Sequence, residues 1–278
     1  MAAKRLALPG NARSRTGLPF AGLRVIDMTT FWAGPSCTHL LAMLGADVIH
    51  VESTRHPDGT RLIAGIPVTE ELWWERSPIF SGLNTNKRGV TLNLQSGEGR
   101  DLLKRLIATA DVVVENFTPR VLESMGLTYD EVRAVRPDVI MVRMPGFGLD
   151  GPWRDNPAFA YVIEAAAGIS WMTGYPDRNP YEPYSVGDPN AGIHALNALL
   201  LALAHRQRTG DCPQYLPEQN ADHPAFGAAV GLARAAEPSS HRTGRAWAGR
   251  DPSAGHSRGH GPGGQDPAEA RCAGGPGH

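Results

Sequence analysis

Residues 22–52 read GLRVIDMTTFWAGPSCTHLLAMLGADVIHVE, and their punctuation divides the stretch into strand, helix and strand. Leu23 to Met28 is a short apolar run with β-branched residues at its centre. Ala33-Gly34-Pro35 then opens a helical stretch through Leu44. Proline is tolerated there because the first N–H groups of a helix have no partner inside it, and Gly45 closes the helix because glycine readily takes the left-handed turn that ends one. Asp47 to Glu52 is a second β-rich run, so the segment predicts one β-α-β unit.

The same alternation continues outward. Gly89 to Leu94 reads as a strand and Ser96 to Ala110 as a helix with Ser96 as its cap. Asp111 to Glu115 reads as a further strand, in which Val112-Val113-Val114 is the continuous β-branched run expected when both faces are buried. Short helices at Val121 to Met125 and Tyr129 to Val135 lead to a strand, Asp138 to Met144, that ends in Pro145-Gly146-Phe147-Gly148. Strands alternating with helices predict an α/β fold, a Rossmann-like doubly wound parallel sheet over residues 22 to 150. Ligands of such sheets bind at the carboxyl ends of the strands. Those ends carry Thr29 to Gly34, Glu52 to Arg61, Glu115-Asn116-Phe117 and Pro145 to Gly148, four loops expected to rim one crevice. A nicotinamide enzyme is excluded, because the first strand is followed not by Gly-x-Gly-x-x-Gly but by Ala33-Gly34-Pro35, with proline where a phosphate-facing N–H is needed.

The 278 residues are 41% hydrophobic and 20% charged, within the range of soluble globular chains. No eighteen-residue apolar window occurs, so no membrane span is expected. A net charge of −1 gives no basic footprint for nucleic acid. The three cysteines, Cys37, Cys212 and Cys272, are an odd number at unrelated spacings, which argues against a disulfide framework and against a zinc knuckle and suits a cytoplasmic chain. Residues 1–19 read as a disordered lead; they are basic at Lys4, Arg5, Arg13 and Arg15, and a mitochondrial presequence is the alternative. Residues 211–278 hold 12 Gly, 8 Pro and 13 Ala, too little branched apolar surface to offset chain entropy, so a disordered low-complexity tail is expected. Its five histidines lack metal-ligand spacing, and no metal site is expected. Arg outnumbers Lys 24 to 3, a bias attributed to GC-rich coding, and a shifted reading frame in such a gene would yield a tail of this composition.

The ordered set Gly22-Leu23-Arg24-Val25-Ile26-Asp27, Ala33-Gly34-Pro35, Leu44-Gly45-Ala46-Asp47-Val48-Ile49, Glu52, Asn84 to Arg88, Glu115-Asn116-Phe117, Gly146-Phe147-Gly148, Gly151-Pro152 and Gly187-Asp188 to Gly192 resembles the family III CoA-transferases, the CaiB/BaiF group. The resemblance covers Gly22 to Gly210, placing the large domain at residues 20–210. It implies a CoA-thioester substrate, a carboxylic acid partner, no separate cofactor and an interlocked homodimer. It also implies that Asp188, in Gly187-Asp188-Pro189-Asn190-Ala191-Gly192, is the nucleophile, since a carboxylate can accept an acyl group, hold it as an anhydride and then carry CoA as a thioester. Read from the residues alone, Asp188 before Pro189 is equally an ordinary helix cap ahead of a helix at Ala191 to His205.

For the CoA moiety the resemblance points to Lys87, Arg88, Asn116, Phe117, Gly146, Gly148 and Arg61. The alternatives are a solvated turn at Lys87 and Arg88, core packing at Phe117 and a tight turn at Gly146 and Gly148. Arg61 would meet a phosphate or a substrate carboxylate. Trp32, with Phe31 beside it, stands where the formyl-CoA branch carries Gln, which implies a bulkier or more apolar acyl group. The His-Asp pair of the family's racemases matches Phe159-Ala160-Tyr161 here, so neither the base nor the acid that racemisation needs stands at that position, and an α-methylacyl-CoA racemase-type enzyme is the lesser alternative. After Gly210 the chain continues Asp211-Cys212-Pro213-Gln214, unlike the family, and a non-catalytic fragment of such an enzyme is the rival reading.

Overall fold

A computed structural model describes residues 17–209 apart from 64, 176 and 183. The expectations for residues 1–16 and for the 211–278 tail, with Cys212, Cys272 and its five histidines, lie outside the described residues.

Five parallel strands form one sheet. In chain order the elements are β1 (Arg24–Asp27), α1 (Ala33–Met43), β2 (Asp47–Glu52), α2 (Thr60–Ile63), a single 3₁₀ turn (Trp73–Glu75), α3 (Pro78–Leu83), β3 (Arg88–Thr91), α4 (Gly97–Ile107), β4 (Val112–Glu115), α5 (Pro119–Met125), α6 (Tyr129–Val135), β5 (Ile140–Arg143), α7 (Ala160–Ala166), α8 (Ile169–Met172) and α9 (Gly187–Thr209). The strand order is β3-β2-β1-β4-β5, every pair parallel, so the chain runs outward in one direction from β1 and then restarts on its other side with β4. This is the doubly wound order expected from the alternation.

Two apolar layers cover the sheet. Val25, Val48, Val112, Val114 and Val142 face α1 and α9, meeting Cys37, Leu41, Ala195 and Leu199. Ile26, Ile49, Val113 and Met141 point the opposite way, to Leu103, Ile107, Leu122 and Val132. Alternate residues of one strand thus supply both cores, which is why the valine run shows no polar face.

Local signals account for the helix ends. The Ser96 hydroxyl accepts Gly99 N–H at 3.0 Å, and Thr128 with Glu131 forms a reciprocal capping box. Gly45 takes φ +102° just past α1. β3 ends at Thr91, short of the expected Leu94, because it pairs on one side only and its residues alternate between half-buried and exposed. The sequence reading passed over α2, α3, α7 and α8. At α3 the signal was present, since Ser77 caps the helix and Pro78 occupies its first turn.

Candidate active site

The sheet reverses between β1 and β4, and the loops leaving these two strands are stapled to one another. Asn116 Oδ1 accepts Thr30 N–H at 2.9 Å while Asn116 Nδ2 donates to Thr30 O at 2.8 Å, a bond pair joining residues 86 apart. Glu115, fully buried, accepts Phe117 N–H at 2.9 Å and Arg143 Nε at 2.8 Å, tying the ends of β4 and β5. Burial pushes the Glu115 carboxyl above its ordinary range, and Arg143 with the Phe117 N–H offsets only part of that.

Above these ends lies a cleft of about 300 Å³. Its walls are largely apolar, with Phe31, Trp32, Phe117, Met144, Phe159 and Ile163 among them, and its ionisable groups are Arg143, Asp188 and His194. Phe31 adopts φ +62° and packs edge-on against Phe159 at 5.0 Å. A Cβ on Gly59 would fall 2.2 Å from the Phe31 ring, so glycine there is what admits this aromatic wall. A Cβ on Gly146 would fall 2.2 Å from the Ala158 Cβ, and Gly148 takes φ +86°, so both glycines serve the tight turn and close packing of the cleft edge.

Asp188 reaches the cleft from the first turn of α9. The helix begins at Gly187 and runs 23 residues to Thr209, so the cap reading is corrected: Asp188 is the second residue of the helix rather than the residue before it. The reason is tertiary. Glu164 of α7, fully buried, accepts the Gly187 N–H at 2.8 Å, Asn190 N–H reaches Val186 O at 3.2 Å, and Pro189 has no N–H to satisfy, so helical geometry extends four residues upstream of Ala191. The Asp188 carboxylate accepts no hydrogen bond from the described residues. Burial first, and then the negative Glu164, raise its pKa from 3.8 to about 6.

Of the eight residues read from the sequence, Asp188, Asn116, Phe117, Gly146 and Gly148 line this cleft, and three do not. The Lys87 side chain is 1% exposed; its ammonium lies 3.0 Å from Asp27 Oδ2, 2.8 Å from Asn84 Oδ1 and 3.3 Å from Pro35 O. Neither the solvated turn nor a cation open to a ligand describes it: it is the counter-charge of a buried carboxylate. Burial alone would raise the Asp27 pKa, but Lys87, His50 and the hydrogen bonds of His50 and Thr29 outweigh burial and hold it far below the carboxylate range. Arg88 pairs with Asp47 at 2.6 Å, at the start of β2 and β3 and thus at the sheet end opposite the carboxyl rim. Arg61 donates to both Glu52 oxygens at 3.0 Å and covers the Phe80 ring at 3.5 Å.

Among the described residues one group of potential metal ligands, His50, Glu52 and Asp58, has donor atoms within 4.8 Å of one another. Arg61 already occupies Glu52, and Asp58 Oδ1 accepts Thr60 N–H, Thr60 Oγ1 and Phe31 N–H, so these carboxylates brace the loop after β2. Thr30 and Phe31 lie in the Thr29 to Gly34 loop expected at the crevice, whereas Phe159, Arg143 and Glu164 were not singled out from the sequence as site residues. For Glu164 a signal existed, an acid within the apolar run Ala160-Tyr161-Val162-Ile163-Glu164-Ala165-Ala166. Among the described residues no helix is long and apolar enough to cross a membrane.

Residues 20–215 match the model of CoA-transferase family III. The chain is 42% identical over 199 residues to the succinyl-CoA–L-malate CoA-transferase beta subunit of Chloroflexus aurantiacus, covering 70% of this chain and 47% of that protein. It is 38% identical over 194 residues to a formyl-CoA:oxalate CoA-transferase of Escherichia coli, covering 69% of this chain and 45% of the relative. A CaiB/BaiF family protein of Brucella suis superposes with a TM-score of 0.64 at 37% identity, over 70% of this chain and 51% of that one. The chain therefore spans about half the length of the curated relatives it matches. With the sheet order, the stapled switch point and this match over most of its described residues, the chain belongs to CoA-transferase family III.

Proposed function

We propose that the protein moves CoA from an acyl-CoA thioester to a carboxylic acid, with Asp188 as the nucleophile. The observation that carries the reading is a desolvated carboxylate, free of hydrogen bonds from the described residues, facing a mostly apolar cleft at the switch point of a family III chain. The Asp188 carboxylate attacks the thioester carbon; a C–O bond forms, the C–S bond breaks and CoA leaves as thiolate. The thiolate then attacks the Asp188 carbonyl carbon of the mixed anhydride, forming aspartyl-CoA and releasing the donor acid. An acceptor carboxylate attacks that thioester in turn, and the thiolate returns to the acceptor's acyl carbon, regenerating Asp188. CoA is thus substrate, and no separate cofactor enters.

Phe31, Trp32, Phe159 and Ile163 favour an apolar acyl group of some bulk in the cleft. Asn116, Phe117, Gly146 and Gly148 line the wall assigned to the pantetheine and nucleotide, Phe117 supplying a flat apolar face. The partner is a second copy of the chain, in a cytoplasmic setting that suits the buried free thiol of Cys37.

The test is succinyl-CoA offered to the purified chain with a panel of carboxylates, the enzyme-bound acyl group being trapped with hydroxylamine and mapped to a peptide. An adduct on Asp188 that disappears in Asp188→Asn, with the circular dichroism unchanged, supports transfer chemistry. A folded protein that forms no adduct with any acyl-CoA overturns it in favour of a non-catalytic member of the family.

A further inference from the structure

The mechanism above leaves unused a fully buried acid beside the cleft, Glu164. Glu164 has no exposed surface. Its Oε1 accepts the Gly187 N–H at 2.8 Å, whereas its Oε2 is buried and has no hydrogen-bond partner. A second cavity of about 280 Å³ adjoins it, lined by Glu164, Gly187, Asn190 and Ile163, the last of which also lines the main cleft. A buried carboxylate oxygen left without a donor is costly, and folds retain such a group where it serves something else.

We propose that Glu164 is a positioning residue for Asp188: its carboxylate anchors the first turn of α9 through Gly187 and sets a fixed negative charge against the nucleophile, favouring every state in which Asp188 has lost its own charge. Acylation is such a state. When the Asp188 carboxylate becomes an anhydride or a thioester the repulsion ends, so Glu164 drives the formation of the acyl-enzyme and of aspartyl-CoA and opposes their reversal. The raised Asp188 pKa has the same origin, after burial, because protonation also removes the charge. The inference rests on Asp188 being the nucleophile.

Other groups near Asp188 are accounted for. On β5, Arg143 is bonded to Glu115. On α1, Cys37 is buried and its thiol is pushed up to about 12, and His39 stands near Lys87. Tyr161 of α7 is 41% exposed, and His194 Nδ1 lies 2.8 Å from Asn190 O on α9 itself. Among these groups Glu164 is the one whose charge acts on Asp188.

The experiment is a pH titration of the Asp188 carboxyl carbon by NMR in full-length protein labelled with ¹³C at aspartate, its signal identified by loss in Asp188→Asn. It is paired with hydroxylamine trapping of the acyl-enzyme from succinyl-CoA. Glu164→Gln keeps the oxygen that accepts Gly187 N–H and removes only the charge, whereas Glu164→Ala removes both. We expect the native midpoint at about 6. In Glu164→Gln it should fall by roughly one pH unit, with roughly tenfold less acyl-enzyme at equilibrium. An unchanged midpoint in folded Glu164→Gln overturns the proposal, as does a loss of acyl-enzyme confined to Glu164→Ala. A midpoint that moves while no protein, native included, is acylated sinks the transferase reading and leaves the coupling of the two carboxylates standing.

Discussion

Asp188 and Lys87 show how one residue's surroundings reverse its reading. With its pKa raised to about 6, Asp188 is half protonated near that pH, and only the ionised form attacks a thioester. Acyl-enzyme formation should therefore rise as pH increases through about 6 and level off above 7, measured as initial rates of hydroxylamine-trapped adduct. The stability effect has the opposite sign. A carboxyl whose folded pKa is raised favours the fold below its unfolded pKa of 3.8, and that contribution is lost as pH climbs through about 6. Asp188→Asn should consequently be more stable than the native chain at pH 7.5, by about 2 kcal/mol after allowing for partial exposure, and nearly equal to it at about pH 3, below the unfolded pKa, as read from urea midpoints. Lys87 works in the other direction. Its partner Asp27 is held far below the carboxylate range, so their pairing stabilises above that range and is lost as pH falls. Lys87→Gln strands a buried carboxylate and should cost about 3–5 kcal/mol at pH 7, again by urea unfolding, while shifting acid unfolding to higher pH.

At the scale of elements, the site depends on how closely α1 and α9 approach. Gly192 permits it: a Cβ there would sit 2.7 Å from Ala33 O and 2.8 Å from Ser36 Cβ. Gly192→Ala must push α9 away from α1, which opens the core at Cys37, Leu41, Ala195 and Leu199 and moves Asp188 four residues upstream. We expect a loss of about 1–3 kcal/mol in thermal or urea unfolding and a larger proportional loss of acyl-enzyme than of stability. Strand and helix positions in the sheet were legible because their cause is local: β2 and α6 begin and end where residue type and caps put them. The start of α9 was not. The acceptor that lets Gly187 enter the helix is supplied by Glu164, 23 residues earlier, and no local pattern encodes it.

Over the whole molecule, apolar surface is unevenly distributed. Trp171 is 80% exposed, Tyr184 77%, Tyr175 74%, Met172 73%, Tyr181 70% and Leu201 67%, all within α8, α9 and the segment between them. Large side chains exposed at this density mark a surface built to be covered. With a second copy as the partner, light scattering should give a mass near twice 29.8 kDa, and Trp171→Glu with Tyr184→Glu should return it to that of one chain. A monomeric native chain at micromolar concentration would refute self-association.

Residue order alone determined the α/β alternation, the parallel sheet and the family, because each follows from short-range periodicity, caps or motifs read in sequence. Only the tertiary structure decided which charges are available. Lys87, Arg88 and Arg61 look alike as exposed cations along the chain, yet each meets an acid on β1 or β2, brought beside it by strand pairing or by the return of the loop that follows. Electrostatic energy depends on distance and burial in space, and neither is written in the spacing of residues along the chain.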